Sequence, residues 1–328
     1  NCLFLLVTLI LACTADPILG IAASTSSKVV FTFGGLSERS GVLFVAKDAG
    51  IFQRHGLDAQ VVNVRSGPVG MAALASGETH FHAGSATGAS IGAMAGGLDL
   101  VFIAGLINKL DGAFVVNPSI KTLADLKGKT IAVQSIGGGI WMFTMLAFEH
   151  WGLNPERDGI KFRVVSDQAV IAQAIASGTV DGGYLGYTFG AQMERQGFRI
   201  LADLAKLGIP YQGLGIMARR SFVDRSQDTA ERALRAMVET IAFINDPSNK
   251  AAVMRSLARG LRLQKVEDAE AGYDMMKVLY DRRIYPSVEG LRNVLRLLGK
   301  SNESIRRLKA EDTVDDRTVR KLEREGLF

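Results

Sequence analysis

The sequence predicts two α/β lobes, each a mostly parallel sheet covered by helices and joined to the other by a two-crossing hinge. Three observations carry this. The chain has 328 residues, too many for one average domain and enough for two. Short apolar runs alternate with helical stretches along most of it, the pattern of a parallel sheet buried on both faces. Short segments also recur: Ala73-Leu74-Ala75-Ser76-Gly77 is echoed by Ala174-Ile175-Ala176-Ser177-Gly178, and Gly56-Leu57 by Gly152-Leu153.

The elements follow in order. Val29 to Phe33 is a short apolar run ended by Gly34-Gly35, a buried strand. Leu43 to Phe52 reads as a helix closing at Gly50, and Leu57 to Val64 as the next strand. Pro68 suits the first turn of a helix, where its missing N–H is an orphan anyway, and that helix ends at Ser76-Gly77. Strand Thr79 to Ala83, helix Ala86 to Ala95, and strands Leu100 to Leu106 and Ala113 to Val116 complete the first unit. Asn117-Pro118 is a break. The second unit has a turn at Thr122 to Leu126, strand Thr130 to Val133, helix Gly139 to Trp151, strand Ile160 to Val165, helix Gln168 to Ala176, strand Val180 to Leu185 and helix Thr188 to Gln196. The helix from Gly139 is apolar on nearly every face and is expected to be buried.

After a strand from Tyr211 to Ala218 the rest is helical. Asp228 and Glu231 have capping-box spacing, and Leu234, Met237, Val238, Ile241 and Ile244 share one face. The chain is expected to cross between lobes near residues 117 and 215. Residues 28–117 with 215–328 then form the first lobe, and residues 118–214 the second.

Leu3 to Ala12 is apolar except for Thr8, too short to span a bilayer and of the length of a signal-peptide core. The sequence opens at Asn1 without Met or a basic region, so its front is expected to be trimmed. Residues 1–23 are read as a signal peptide, with small residues at Gly20 and Ala22 for cleavage near Ala23. A second option stays open: Ile10-Leu11-Ala12-Cys13 resembles a lipoprotein site with Cys13 lipidated. Both cysteines, Cys2 and Cys13, lie in this segment, so no disulfide or thiolate site is expected beyond it. The net charge of +5 comes with no nucleic-acid motif. Much of the excess sits in a late helical stretch, at Arg292, Arg296, Lys300, Arg306, Arg307 and Lys309 among acidic residues, and is read as a solvated face.

Open parallel sheets bind ligands at the C-terminal ends of strands, beside helix N-termini whose free N–H groups attract anions. Small polar residues and glycines fall at four such points: Gly35-Leu36-Ser37, Arg65-Ser66-Gly67, Gly84-Ser85 and Ser135-Ile136-Gly137-Gly138-Gly139. The candidate ligand contacts are Ser37, Arg65, Ser66, Gly67, Ser85, Ser135, Gly137 and Gly138, with Tyr184 and Tyr187 as aromatic walls. Each loop also has an ordinary reading as a cap or turn. Arg39 and Arg65 are the candidate charge partners, Arg65 the better placed. The glycine run after Val133 fits neither a dinucleotide fingerprint nor a phosphate loop, so no nucleotide and no cofactor are expected. His80 and His82 flank Phe81 and share a strand face, but no third metal ligand is evident and no metal is expected. His55 and His150 read as helix-end residues without a catalytic context.

Several of these segments resemble a known family. Ala46-Lys47-Asp48-Ala49-Gly50-Ile51-Phe52 with His55-Gly56-Leu57-Asp58 is similar to the substrate-binding proteins of nitrate, sulfonate and taurine ABC transporters. So are Leu74-Ala75-Ser76-Gly77-Glu78, the run Leu123 to Val133, Ala176-Ser177-Gly178-Thr179-Val180-Asp181 and the stretch Gly197 to Asp203. His80 departs from the pattern, standing where relatives usually have Asp. The resemblance runs from about Val30 to Phe243. It implies a type II periplasmic-binding fold, export to the periplasm, and delivery of a small solute to a membrane permease and its ATPase, and it does not fix the solute; an anionic organic solute is expected from the helix starts above, with a monomeric chain and no catalysis. The alternative in the same fold is an enzyme like the thiamine-pyrimidine synthases, which rely on a cysteine-rich segment and iron.

Overall fold

A computed structural model describes residues 26–64 and 67–328. The expected targeting segment, with Cys2 and Cys13, lies outside the described residues, as do Arg65 and Ser66. The strands are β1 (Ser27–Phe33), β2 (Leu57–Asn63), β3 (Phe81–Gly84), β4 (Leu100–Lys109), β5 (Ala113–Val116), β6 (Thr130–Val133), β7 (Lys161–Val164), β8 (Gly182–Leu185), β9 (Arg199–Asp203) and β10 (Pro210–Arg219). They form two five-stranded sheets, ordered β2-β1-β3-β10-β4 and β7-β6-β8-β5-β9. In the first sheet β10 runs antiparallel to both neighbours, and in the second β5 does. The first three strands of each order pair in parallel.

The reversed strand of each sheet is the one that has just arrived from the other lobe. β4 ends in the first sheet and β5 begins in the second, while β9 ends in the second and β10 begins in the first. The crossings therefore lie at residues 110–112 and 204–209, earlier than the positions near 117 and 215 expected from sequence. An apolar run such as Ala113 to Val116 states that it is a buried strand, not which sheet it joins. The break at Asn117-Pro118 instead follows the first strand of the second lobe, and β10 starts before Tyr211. The two crossings are bonded to each other through Leu110 N–H to Ile209 O (3.0 Å) and Leu204 N–H to Gly112 O (2.8 Å).

Burial follows the apolar pattern. β4 is buried from Leu100 to Leu106 and Ile107 because helices cover both of its faces. One face of the first sheet packs on helices Gly41–Asp48, Gln227–Asn245, Lys250–Leu261 and Glu270–Leu279. Leu234, Met237, Ile241 and Ile244 supply the buried stripe of the second of these, with Val238 at its edge. Helices Gly67–Ser76, Gly88–Ala95 and Val288–Leu298 cover the other face, whose core continues into the second lobe. Helix Gly139–His150 buries Ile140, Met142, Phe143, Leu146 and Phe148, as its apolar surface requires.

Two further expectations are corrected, and one strand is added. The stretch Leu43 to Phe52 is two helices, Gly41–Asp48 and Ile51–Arg54, because Gly50 adopts a left-handed conformation (φ 68°) between them. Asp228 and Glu231 do not form a capping box: the helix starts after Ser226, and they pair with Arg232 and Arg235 along its surface. The strand β9 was not anticipated, since its residues are exposed or half-buried and carry no clean alternation.

Candidate functional site

A cavity of about 560 Å³ lies between the two lobes. The first lobe lines it with Gly34 to Ser37, Arg39 and Ser40 after β1, Gly67, Pro68 and Met71 at the start of a helix, and His82 to Ser85 with Thr87 to Ser90 around the end of β3. Leu214 and Met217 of β10 complete that wall. The second lobe adds Gln134 to Ile140, Phe143, Ser166 to Gln168 and Tyr184. The lobes touch across the cavity. Gly88 N–H donates to Gly137 O at 2.8 Å, and a Cβ on Gly88 would stand 3.2 Å from that oxygen. Only glycine allows this close a backbone approach without displacement.

The floor is a buried polar cluster. The Arg39 guanidinium lies over the Phe143 ring, 4.6 Å from its centroid, and donates to Gly213 O. Its Nε is 3.3 Å from Asp111 Oδ2, a charge pair without hydrogen-bond alignment, so both atoms lack a hydrogen-bond partner. Tyr184 stacks on Phe143 and donates its hydroxyl to Asp111 Oδ1 (3.1 Å). Burial pushes the Asp111 carboxyl up to about 6, with Arg39 pulling it part of the way back and Glu38 adding to the rise. The Arg39 charge is therefore matched inside the protein rather than offered whole to a ligand.

Helix starts converge on the cavity and differ in their caps. Thr87 and Ser90 form a capping box on helix Gly88–Ala95. Asp167 caps helix Gln168–Ala176 by accepting from Val170 N–H at 3.0 Å. The fully buried Glu38 reaches across from the first lobe and accepts the Tyr187 N–H that opens helix Tyr187–Arg195, at 2.7 Å. Helix Gly139–His150 has no side-chain cap, so its first N–H groups face the cavity unclaimed by a side chain. Its approach is glycine, and a Cβ on Gly138 would meet Ser135 Oγ. Such a helix start favours an anion.

Of the sequence-predicted contacts, Ser37, Gly67, Ser85, Ser135, Gly137, Gly138 and Tyr184 line the cavity. Tyr187 does not: its hydroxyl donates to Asp203 at 2.7 Å and its N–H serves Glu38. Arg65 and Ser66 lie outside the described residues. Sequence reasoning missed Glu38, Asp111, Thr87, Ser90, Gln134, Asp167 and Gln168. The Thr87 to Ser90 capping pattern was readable; nothing in the sequence marked Asp111, which matters only because the crossing brings it under Arg39. Among the described residues no group of three or more His, Cys, Asp or Glu could hold a metal ion.

Comparison with known proteins fits this geometry. The family described as NMT1/THI5 like matches residues 38–250, more than half of the chain. The chain belongs to the NMT1/THI5-like family. Solved structures agree on the fold. The periplasmic aliphatic sulphonate binding protein SsuA from Escherichia coli superposes with a TM-score of 0.71 at 21% identity, covering 88% of this chain and 97% of that one. The alkanesulfonate-binding protein SsuA from Xanthomonas axonopodis pv. citri, bound to MOPS, gives 0.70 at 20% identity over 88% and 98%. The periplasmic nitrate-binding protein NrtA from Synechocystis PCC 6803 gives 0.67 at 16% identity over 91% and 88%. No curated protein matches the chain by sequence. The type II periplasmic-binding architecture expected from the sequence, with two α/β lobes, is the fold of this family member.

Proposed function

We propose that this protein is the solute-binding component of an ABC importer, closing its two lobes on one small organic solute with an acidic group and passing it to a membrane permease and ATPase. The observation that carries the reading is the cavity enclosed by loops of both lobes, with the uncapped start of helix Gly139–His150 in its wall. The acidic group sits at that helix start, where the Ser135 hydroxyl, the Gly137 N–H and the first N–H groups of the helix supply donors, the Gly138 N–H being held by Ser135 O at 3.1 Å, while Ser37, Gly67 and Ser85 contact the solute from the first lobe. Sulfonate, carboxylate and nitrate all satisfy such donors. That structures similar in fold are those of sulfonate- and nitrate-binding proteins supports this choice. Export to the periplasm and the absence of turnover belong to the same proposal, and no described helix is long and apolar enough to cross a membrane.

The test is calorimetry of the purified protein with ethanesulfonate, taurine, nitrate and succinate, paired with small-angle scattering. One saturable site per chain and a smaller radius of gyration with the binding solute are expected. Recovery of a chemically altered solute after incubation, or binding by none of these acids, would overturn the reading.

A further inference from the structure

Two histidines frame the start of β3, and the fold uses them differently. His80 Nδ1 accepts the Val30 N–H at 3.1 Å, and its ring lies edge-on against Phe222. His82 is 4% exposed, yet its ring forms part of the cavity wall. Its Nδ1 lies 2.9 Å from Thr32 Oγ1, and its Nε2 has no hydrogen-bond partner among the described residues. Nε2 is not among the fully buried unpaired atoms, so this edge of the ring stays open to a partner from the cavity.

The two contacts of Thr32 bear on which ring nitrogen carries the proton. Thr32 has one hydroxyl proton and two acceptors in reach, His82 Nδ1 at 2.9 Å and Phe81 O at 3.4 Å. The shorter contact is the better hydrogen bond and favours Nδ1 as the acceptor; the opposite arrangement, with Nδ1–H donating to Thr32 Oγ1 and Thr32 donating to Phe81 O, is the one the spectra below would detect. With Nδ1 as the acceptor, Nε2 carries the ring's own hydrogen. Burial also lowers the imidazole pKa to about 4, so the ring is neutral at physiological pH. Space for it is built in. A Cβ on Gly84 would stand 2.7 Å from Nε2, and one on Gly70 would stand 2.7 Å from Cε1. Gly84 itself borders the cavity.

We infer that His82 is a specificity-determining residue of the cleft, whose neutral Nε2–H donates a hydrogen bond to an oxygen of the bound solute. This rests on the reading of the cleft given above and deepens it. The second lobe offers donors at the start of helix Gly139–His150, and the first lobe offers this one. The solute must therefore present oxygen acceptors to both walls, through one oxoacid group or through an acid and a carbonyl. A solute with an ammonium or N–H group at the first-lobe wall would set donor against donor and be rejected.

The test uses the full chain labelled with ¹⁵N-histidine and the probes ethanesulfonate, nitrate and succinate. Long-range ¹H–¹⁵N spectra at neutral pH should show the Nε2–H tautomer for His82, and its Nε2 resonance should move on saturation with whichever probe binds. His82→Leu should weaken that probe on the order of tenfold, while His82→Gln, which keeps a donor, stays within about threefold of the parent. An Nδ1–H tautomer, an unmoved Nε2 resonance, or a folded His82→Leu variant that binds like the parent overturns the inference and leaves the solute-binding reading standing. If His82→Leu does not fold, the tautomer and the resonance shift in the parent decide. If thermal melts show that no probe binds the parent, the acid-binding reading fails and the role of His82 falls with it.

Discussion

The two lobes repeat one strand order and put different chemistry at the same place in it. In the first lobe β1 lies beside β3, with Phe31 opposite Phe81 and Thr32 opposite His82. In the second, β6 lies beside β8, with Ile131 opposite Gly182 and Ala132 opposite Gly183. The pair Thr32–His82 is polar and hydrogen-bonded, whereas its counterpart Ala132–Gly183 is apolar and so tight that a Cβ on Gly183 would stand 3.1 Å from Ala132 O. One residue further on, Ala83 in the first lobe corresponds to Tyr184 in the second, whose hydroxyl reaches Asp111 at the crossing. The repeat thus sets the frame, and each lobe then specialises: the first supplies a neutral polar wall, the second an aromatic floor and an uncapped helix start.

Three experiments break or sharpen that comparison. The largest effect belongs to the floor, where residues of both lobes and the crossing meet. Asp111→Ala leaves the buried Arg39 guanidinium without its counter-charge and Tyr184 without its acceptor. A loss of about 3–5 kcal/mol in urea unfolding at neutral pH is expected. A loss below about 1 kcal/mol would mean that the cluster does not tie the lobes together.

The second concerns the polar pair that only the first lobe has. The His82 pKa is depressed from 6.5 to about 4, so the neutral ring favours the folded state above pH 6.5. That contribution is lost as the pH falls toward 4, and amounts to about 3 kcal/mol across the window. Stability of the parent should therefore fall more steeply than that of His82→Gln between these pH values. Parallel curves would show that His82 is not held neutral by the fold.

The smallest effect is at the seam. Gly88→Val places side-chain atoms against Gly137 O and holds the lobes apart. Affinity for the binding acid should fall on the order of tenfold, about 1.4 kcal/mol, with a larger radius of gyration in the presence of solute. Unchanged scattering and affinity would show that closure does not pass through this contact.

Much of the fold was legible because local rules specify it. The apolar runs became strands, and the echoed segments fall at equivalent places: Gly77 and Gly178 each end the helix before the third strand of their sheets, both with positive φ. The site was legible in part for the same reason. Serines and glycines at strand ends mark where a parallel sheet presents helix starts, and seven of the proposed contacts line one cavity. Tyr187 failed because helix position does not tell a side chain which neighbour it meets, and Asp203 claims its hydroxyl.

By itself the sequence determined the alternation of elements, the two related units and the loops from which a site could be built, since these depend on periodicity and on turn chemistry within a few residues. Only the tertiary structure decided where the chain crosses between sheets, and therefore that β5 and β10 are the reversed strands. It also decided that Arg39 is answered by Asp111, that Glu38 caps a helix of the other lobe, and that His82 pairs with Thr32. Those pairings join residues 50 to 149 positions apart. Their partners are set by long-range packing and burial, which no local pattern encodes.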